Sequence, residues 1–83
     1  MQDKSAIIAR VHAILAQELG LEPEEITPDL EYGSTAEWDS VGHMHMVAAL
    51  EDEFDFTFED DVISKITTLT LVEESILQQM AEP

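Results

Sequence analysis

The chain has no cysteine and only three basic residues, and these two shortages exclude several classes of function. Without a thiol there is no disulfide, no thiolate metal site and no catalytic cysteine. Against the three Lys and Arg stand 19 Asp and Glu, which gives a formal net charge of −16. A surface this acidic repels nucleic-acid phosphates and anionic lipid head groups, whereas it attracts basic partners. We therefore expect no nucleic-acid binding.

Long apolar runs are also missing, although the chain has enough apolar residues to fold. No segment approaches the ~20 apolar residues that span a bilayer, and the N-terminus lacks the unbroken apolar stretch of a signal peptide. Hydrophobic residues make up 45% of the 83 residues, which is too many for a disordered acidic tail. We expect one cytoplasmic domain, residues 1–83, that is monomeric and does not insert into membranes.

Glycine and proline are scarce and lie almost entirely between positions 20 and 42, with Pro83 the exception. Before this zone, apolar residues at helical spacing predict a first helix from about Asp3 to Leu19, capped by Asp3 or Ser5 and ended by Gly20. Residues 20–39 form a long connection, and loops of this length are commonly functional. Five apolar side chains are expected to hold this loop on the core: Leu21, Ile26, Leu30, Tyr32 and Trp38.

A second helix is predicted from Asp39-Ser40, both good N-cap residue types, to about Phe54. Apolar residues cover more than half of its circumference, which predicts burial on most sides with His45, Asp52 and Glu53 facing out. The apolar positions are Val41, Met44, Met46, Val47, Ala48, Leu50 and Phe54.

The last third of the chain predicts two more helices. Residues 54–58 alternate as a strand does but have no partner strand, so we expect an extended loop whose aromatic rings pack on the helices. A short helix is predicted over about 59–65. Thr67 or Thr68 then caps a last helix with one apolar face, formed by Leu69, Val72, Ile76 and Met80. The fold class is all-α: a small four-helix bundle of three main helices and one short one, with a long loop between helices 1 and 2.

Patterns for catalysis and metal binding are weak, and we expect neither an enzyme nor a metal site. His43 and His45 are two residues apart, so they point in different directions on a helix and are interpreted as ordinary helix side chains. The acidic stretches lack the central glycine of a calcium loop. Ser40 and His43 lack a nucleophile elbow. Ser40 itself lies at a helix N-terminus, which favours either a plain helix cap or a phosphate site.

The segment from Glu37 to Phe54 resembles the acyl carrier protein family. The family signature is Asp-Ser-Leu followed, after a helix, by Leu-Glu-acid-acid-Phe. Here Asp39-Ser40-Val41 precedes the run 50–54 at the matching spacing, and the likeness extends over essentially the whole chain. It implies that Ser40 accepts 4′-phosphopantetheine from coenzyme A, transferred by a phosphopantetheinyl transferase with magnesium. A stand-alone carrier would then transport acyl groups as thioesters on this arm.

The resemblance also implies roles for other residues of the second helix and its surroundings. Acyl-loading and acyl-transferring enzymes of a fatty-acid, polyketide or other specialised pathway would bring basic patches to a docking surface formed by Asp39, His45, Glu51, Asp52, Asp55 and Asp60. An acyl-chain pocket would be lined by Val41, Met44, Val47 and Phe54, which are also expected to be chiefly core.

Four positions depart from the family pattern. Val41 replaces the usual leucine, and Gly42 and His45 stand where fatty-acid carriers place acids, which would reduce the charge that faces a partner. Glycine in the first turn is expected to weaken the helix by up to about 1 kcal/mol. Together with Trp38, these departures suggest a specialised carrier. Two alternatives remain open: an aminoacyl or D-alanyl carrier with the same arm, and a non-covalent acidic adaptor in which Ser40 is only a cap.

Overall fold

The computed structural model describes residues 3–81, and this part of the chain is all-α with no strand. The helices are α1 (Lys4–Leu19), α2 (Ser40–Phe54), α3 (Asp60–Ile63) and α4 (Leu69–Ala81). One turn of 3-10 helix, Pro23–Glu25, lies in the long loop between α1 and α2. The sequence-based prediction of three main helices, one short helix and a long first loop is confirmed.

Helix α1 begins and ends where its local sequence signals predict. The Asp3 carboxylate accepts a hydrogen bond from the Ala6 amide at 2.8 Å, so Asp3 is the cap rather than Ser5. Gly20 ends the helix in the left-handed region, with φ of 70°. The buried face repeats at helical spacing and consists of Ile7, Val11, Ile14, Leu15 and Leu19. It packs against both α2 and α4.

Helix α2 buries one face and leaves the opposite face open to solvent. Its buried residues are Gly42, His43, Met46, Val47 and Leu50. The prediction of burial on most sides is wrong, because Val41 is 62% exposed, Met44 is 51% exposed and Ala48 is also exposed. So small a domain has too little chain to cover a helix all round. His45, Asp52 and Glu53 face out as predicted.

Two side-chain pairs connect α1 to the other long helices. Arg10 donates to the Glu53 carboxylate at the end of α2, with 2.9 Å between nitrogen and oxygen. This hydrogen bond, with the charge of Arg10, lowers the pKa of the Glu53 carboxyl from its usual range. His12 pairs with Glu73 of α4 at 2.5 Å. Both pairs lie at the partly exposed edge of the contacts that α1 makes with these helices.

The long loop is attached to the connection between α3 and α4 by backbone hydrogen bonds. The Tyr32 amide donates to the Thr67 carbonyl at 2.7 Å, and the Leu69 amide donates to the Leu30 carbonyl at 3.0 Å. Leu30 and Trp38 are buried, whereas Tyr32 is 44% exposed. These two hydrogen bonds therefore hold the loop that leads into α2 against residues 67–69.

The segment after α2 is extended, and its aromatic residues Phe56 and Phe58 pack on the helical core as predicted. Phe56 and Phe58 meet edge to face with ring centroids 4.6 Å apart, and Phe58 is buried. The Phe58 amide donates to the Glu51 carboxylate at 2.9 Å. This bond ties the extended segment back to α2.

The two C-terminal helices differ in how well the sequence predicts their bounds. Helix α3 is shorter than the predicted 59–65, since it ends at Ile63. There the Ser64 hydroxyl donates to the Asp61 carbonyl at 3.0 Å and competes with the helical backbone pattern. Thr68, and not Thr67, caps α4: its hydroxyl accepts from the Leu71 amide at 3.1 Å. The predicted apolar face of α4 is confirmed, with Met80 at its partly buried end.

Within residues 3–81, no helix combines the length and the apolar character that crossing a membrane requires.

Candidate functional site at the start of α2

Asp39, and not Ser40, caps the N-terminus of α2. The Asp39 carboxylate accepts from the Gly42 amide at 2.8 Å, and its carbonyl accepts from the His43 amide at 2.8 Å. Ser40 is the first helical residue and is exposed. Because its neighbour supplies the cap, the Ser40 hydroxyl is not needed to satisfy the helix end and is accessible for other chemistry.

The geometry around Ser40 suits a phosphate group. The first amides of a helix have no acceptor within the helix, and the helix dipole is positive at this end. Asp39 already satisfies the amides of Gly42 and His43, so a phosphodiester formed on the exposed Ser40 hydroxyl would face the amides of Ser40 and Val41. The residues present at this helix start therefore fit a phosphate-linked group on Ser40.

Gly42 is required by close packing at the first turn of α2. A Cβ atom at this position would lie 2.5 Å from the Glu37 carbonyl oxygen and 3.1 Å from a methyl carbon of Leu19. Gly42 is buried, so it faces the loop and α1 rather than a partner. The expectation that this glycine removes a partner-facing charge is therefore wrong, since an acidic side chain does not fit there in this packing.

His43 is a buried structural residue, and the sequence did not predict this role. It is 7% exposed. Its Nδ1 accepts from the indole N–H of Trp38 at 3.0 Å, and its Nε2–H donates to the Ile63 carbonyl at 2.8 Å. We call this arrangement the Trp38–His43–Ile63 bridge. A buried indole N–H needs a hydrogen-bond acceptor. The expected burial of Trp38 was therefore the one sequence signal that pointed to a polar partner for it.

A cavity of about 390 Å³ opens beside Ser40. It lies between α2, the end of α3 and the long loop, and it is lined by Tyr32, Ser40, His43, Met44, Ile63, Ser64 and Thr67. Of the four residues predicted to line an acyl-chain pocket, Met44 lines this cavity. Val41 lies on the surface, Val47 is 2% exposed in the core, and Phe54 is the last residue of α2.

The residues predicted for partner docking lie mostly on the surface. Asp39, His45, Asp52, Asp55 and Asp60 are exposed. Glu51 is partly buried, and one of its oxygens accepts from the Phe58 amide. Val41 and Met44 are exposed beside the serine, so the surface around Ser40 is apolar next to the hydroxyl and acidic further along α2. The sequence did not predict this exposure.

No group of three or more His, Asp or Glu side chains that could hold a metal ion is found in the described part of the chain.

Comparison with known proteins identifies the family. The family model described as "Phosphopantetheine attachment site" matches residues 9–76. The chain is similar to an acyl carrier protein of Cyanidioschyzon merolae, with 32% identity over 72 residues that cover 87% of this chain and 79% of the relative. It is also similar to an acyl carrier protein of Thermosynechococcus vestitus, with 29% identity over 79 residues that cover 95% and 98%. The chain therefore belongs to the phosphopantetheine attachment family, whose members are carriers of this prosthetic group and not enzymes.

Proposed function

We propose that this chain is an acyl carrier protein whose phosphopantetheine arm is attached to Ser40. The observation that carries the proposal is the division of roles at the start of α2, where Asp39 caps the helix and Ser40 presents an exposed hydroxyl. The names of the two relatives support acyl groups as the cargo.

Attachment requires a nucleophile on this chain and catalysis by a separate transferase. The Ser40 oxygen attacks the phosphorus of coenzyme A that bears the pantetheine, and adenosine bisphosphate leaves. The serine proton passes to a base of the transferase, which also binds the magnesium. The arm supplies the thiol that the cysteine-free chain lacks. Acyl groups join that thiol as thioesters and are delivered to enzymes of a fatty-acid, polyketide or other specialised acyl pathway.

Docking combines charge with apolar contact on the outer face of α2. Exposed carboxylates of Asp39, Asp52 and Asp55 attract basic patches of the transferase and of the acyl-transferring enzymes. Val41 and Met44, which are 62% and 51% exposed, supply apolar surface next to the attachment point that a docked partner would remove from water. His45 lies between these regions, where fatty-acid carriers of the family place an acid, and this favours a dedicated pathway.

The experiment that tests attachment is the intact mass of the protein after incubation with coenzyme A, magnesium and a broad-specificity phosphopantetheinyl transferase. Wild type should gain one phosphopantetheine group, and Ser40→Ala should gain none. Ser5→Ala is the matched control, because Ser5 is an exposed serine in the first turns of α1. It should gain the group as wild type does.

No mass gain from a folded wild-type protein would reject the proposal and favour the acidic adaptor. A gain shared by Ser40→Ala would place the arm elsewhere. Incubation of the modified protein with acyl and aminoacyl loading enzymes then separates an acyl carrier from an aminoacyl or D-alanyl carrier.

A further inference from the structure

The cavity beside Ser40 ends at the Trp38–His43–Ile63 bridge. His43 forms part of its wall, and behind His43 lies Trp38, which is fully buried. The rings of Trp38 and His43 are nearly parallel, with 18° between their planes and 6.2 Å between centroids, and they lie side by side along their hydrogen bond. The Tyr32 ring meets the imidazole edge to face, with 5.8 Å between centroids. The imidazole is therefore held by its two hydrogen bonds and by the Tyr32 ring.

The bridge joins three parts of the structure that an alkyl chain would have to separate. Trp38 belongs to the long loop, His43 to α2, and Ile63 is the last residue of α3. Insertion of a chain between α2 and α3 moves His43 away from Trp38 or from Ile63. The indole N–H or the Ile63 carbonyl then loses its partner away from water. Each such orphaned polar group lowers the occupancy of the inserted state by roughly five- to 150-fold.

We infer that this carrier excludes long alkyl chains from its core and carries short acyl groups, with His43 as the residue that sets the limit. The inference rests on the proposed attachment at Ser40. A short acyl group reaches the cavity of about 390 Å³ between Tyr32, Met44 and Thr67 without disturbing the bridge. A longer chain would extend from this cavity into the apolar core only by displacing the bridge, so its thioester stays in solvent.

Trp38 is the only tryptophan, so its indole N–H gives one resonance that reports on the bridge. Butanoyl and dodecanoyl forms are made by the transferase from the corresponding acyl-coenzyme A, and intact mass verifies each product. The Trp38 indole resonance should be the same in the unacylated, butanoyl and dodecanoyl proteins. The dodecanoyl thioester should react with hydroxylamine at least as fast as the butanoyl thioester, because the longer chain is not sheltered.

The variant His43→Ala removes the wall of the cavity together with both hydrogen bonds of the bridge. In the His43→Ala variant the dodecanoyl thioester should react more slowly with hydroxylamine than the butanoyl thioester, because the longer chain now enters the core. His12→Ala is the matched control: it removes a histidine that pairs with Glu73 and does not line the cavity. It should behave as wild type does.

A shifted Trp38 resonance and a protected thioester in the wild-type dodecanoyl protein would overturn the inference. If His43→Ala does not fold, the wild-type comparison decides alone. Absence of any mass gain would refute attachment itself, and the inference would fall with it. Failure of attachment is thus distinguished from failure of the chain-length limit.

Discussion

At the scale of single residues, neighbouring positions at the start of α2 have separate tasks. Asp39 satisfies the helix end, Ser40 presents a hydroxyl, and Gly42 lets the loop approach the helix. The Glu37 carbonyl, close to the position of a Gly42 Cβ, belongs to the loop that holds Trp38. The orientation of Ser40 therefore depends on packing two residues away from it.

Replacing Gly42 with alanine should destabilise the protein even though alanine is the better helix former by about 1 kcal/mol. The added methyl clashes with backbone, which is expected to cost about 1–3 kcal/mol beyond that gain. Urea denaturation measures the change in the free energy of unfolding. Ala48→Gly, at an exposed position of the same helix, is the control and should lose about 1 kcal/mol through propensity alone. A Gly42→Ala protein more stable than wild type would contradict the packing argument.

The sequence predicted the residues that carry local signals and missed those defined by distant neighbours. Asp39 was recognised because capping depends on residues within one turn, and Ser40 was recognised because the family signature includes the serine that follows this aspartate. The buried role of His43 was missed because its partner Ile63 lies 20 residues away along the chain. Gly42 was assigned to the wrong face for the same reason, since Leu19 and Glu37 determine its surroundings.

At the scale of elements, α2 is a helix with one covered face and one free face. Its apolar residues did not predict which face is covered, because that depends on where α1 and the long loop lie. Helix α1 was predicted well since Asp3 and Gly20 are strong end signals. Helix α3 was predicted too long because acidic residues favour a helix start but say nothing about its end.

The free face of α2 should determine which enzymes accept the carrier. Replacing His45 with glutamate restores an acid at this exposed position, so turnover of the modified protein by general fatty-acid synthase enzymes should rise severalfold through faster encounter. Steady-state kinetics gives kcat/KM, and circular dichroism should show unchanged helix content.

The control for this experiment is Glu24→Gln, a change of charge in the short 3-10 turn, away from α2. It should leave turnover unchanged. Wild-type turnover equal to that of a general fatty-acid carrier would reject the dedicated pathway, and an unfolded His45→Glu protein would show that His45 has a structural role.

At the scale of the whole molecule, repulsion among the acidic side chains opposes the packing of the helices into a compact fold. The net charge is −16, and self-repulsion of that size weakens a compact state. Few cations offset it: Arg10 pairs with Glu53, and Lys65 lies 3.6 Å from Asp61. Both pairs are largely exposed, so each contributes little.

Added salt should therefore raise the melting temperature, and millimolar divalent cations should raise it at lower concentration, because screening relieves carboxylate repulsion. Differential scanning calorimetry from low to high ionic strength measures the effect. A variant in which the exposed acids Glu24, Asp52 and Asp60 are changed to their amides is the control and should gain less from salt. A melting temperature that is independent of salt would contradict the argument.

The backbone hydrogen bonds between the long loop and residues 67–69 also bear on the order in which the chain folds during its synthesis. Leu30 and Tyr32 find their partners at Leu69 and Thr67, more than thirty residues later in the chain. During synthesis the segment that presents Ser40 lacks these partners until the start of α4 has left the ribosome. A nascent chain that has not yet released residues 67–69 therefore lacks the contacts that hold the loop before Ser40 in place.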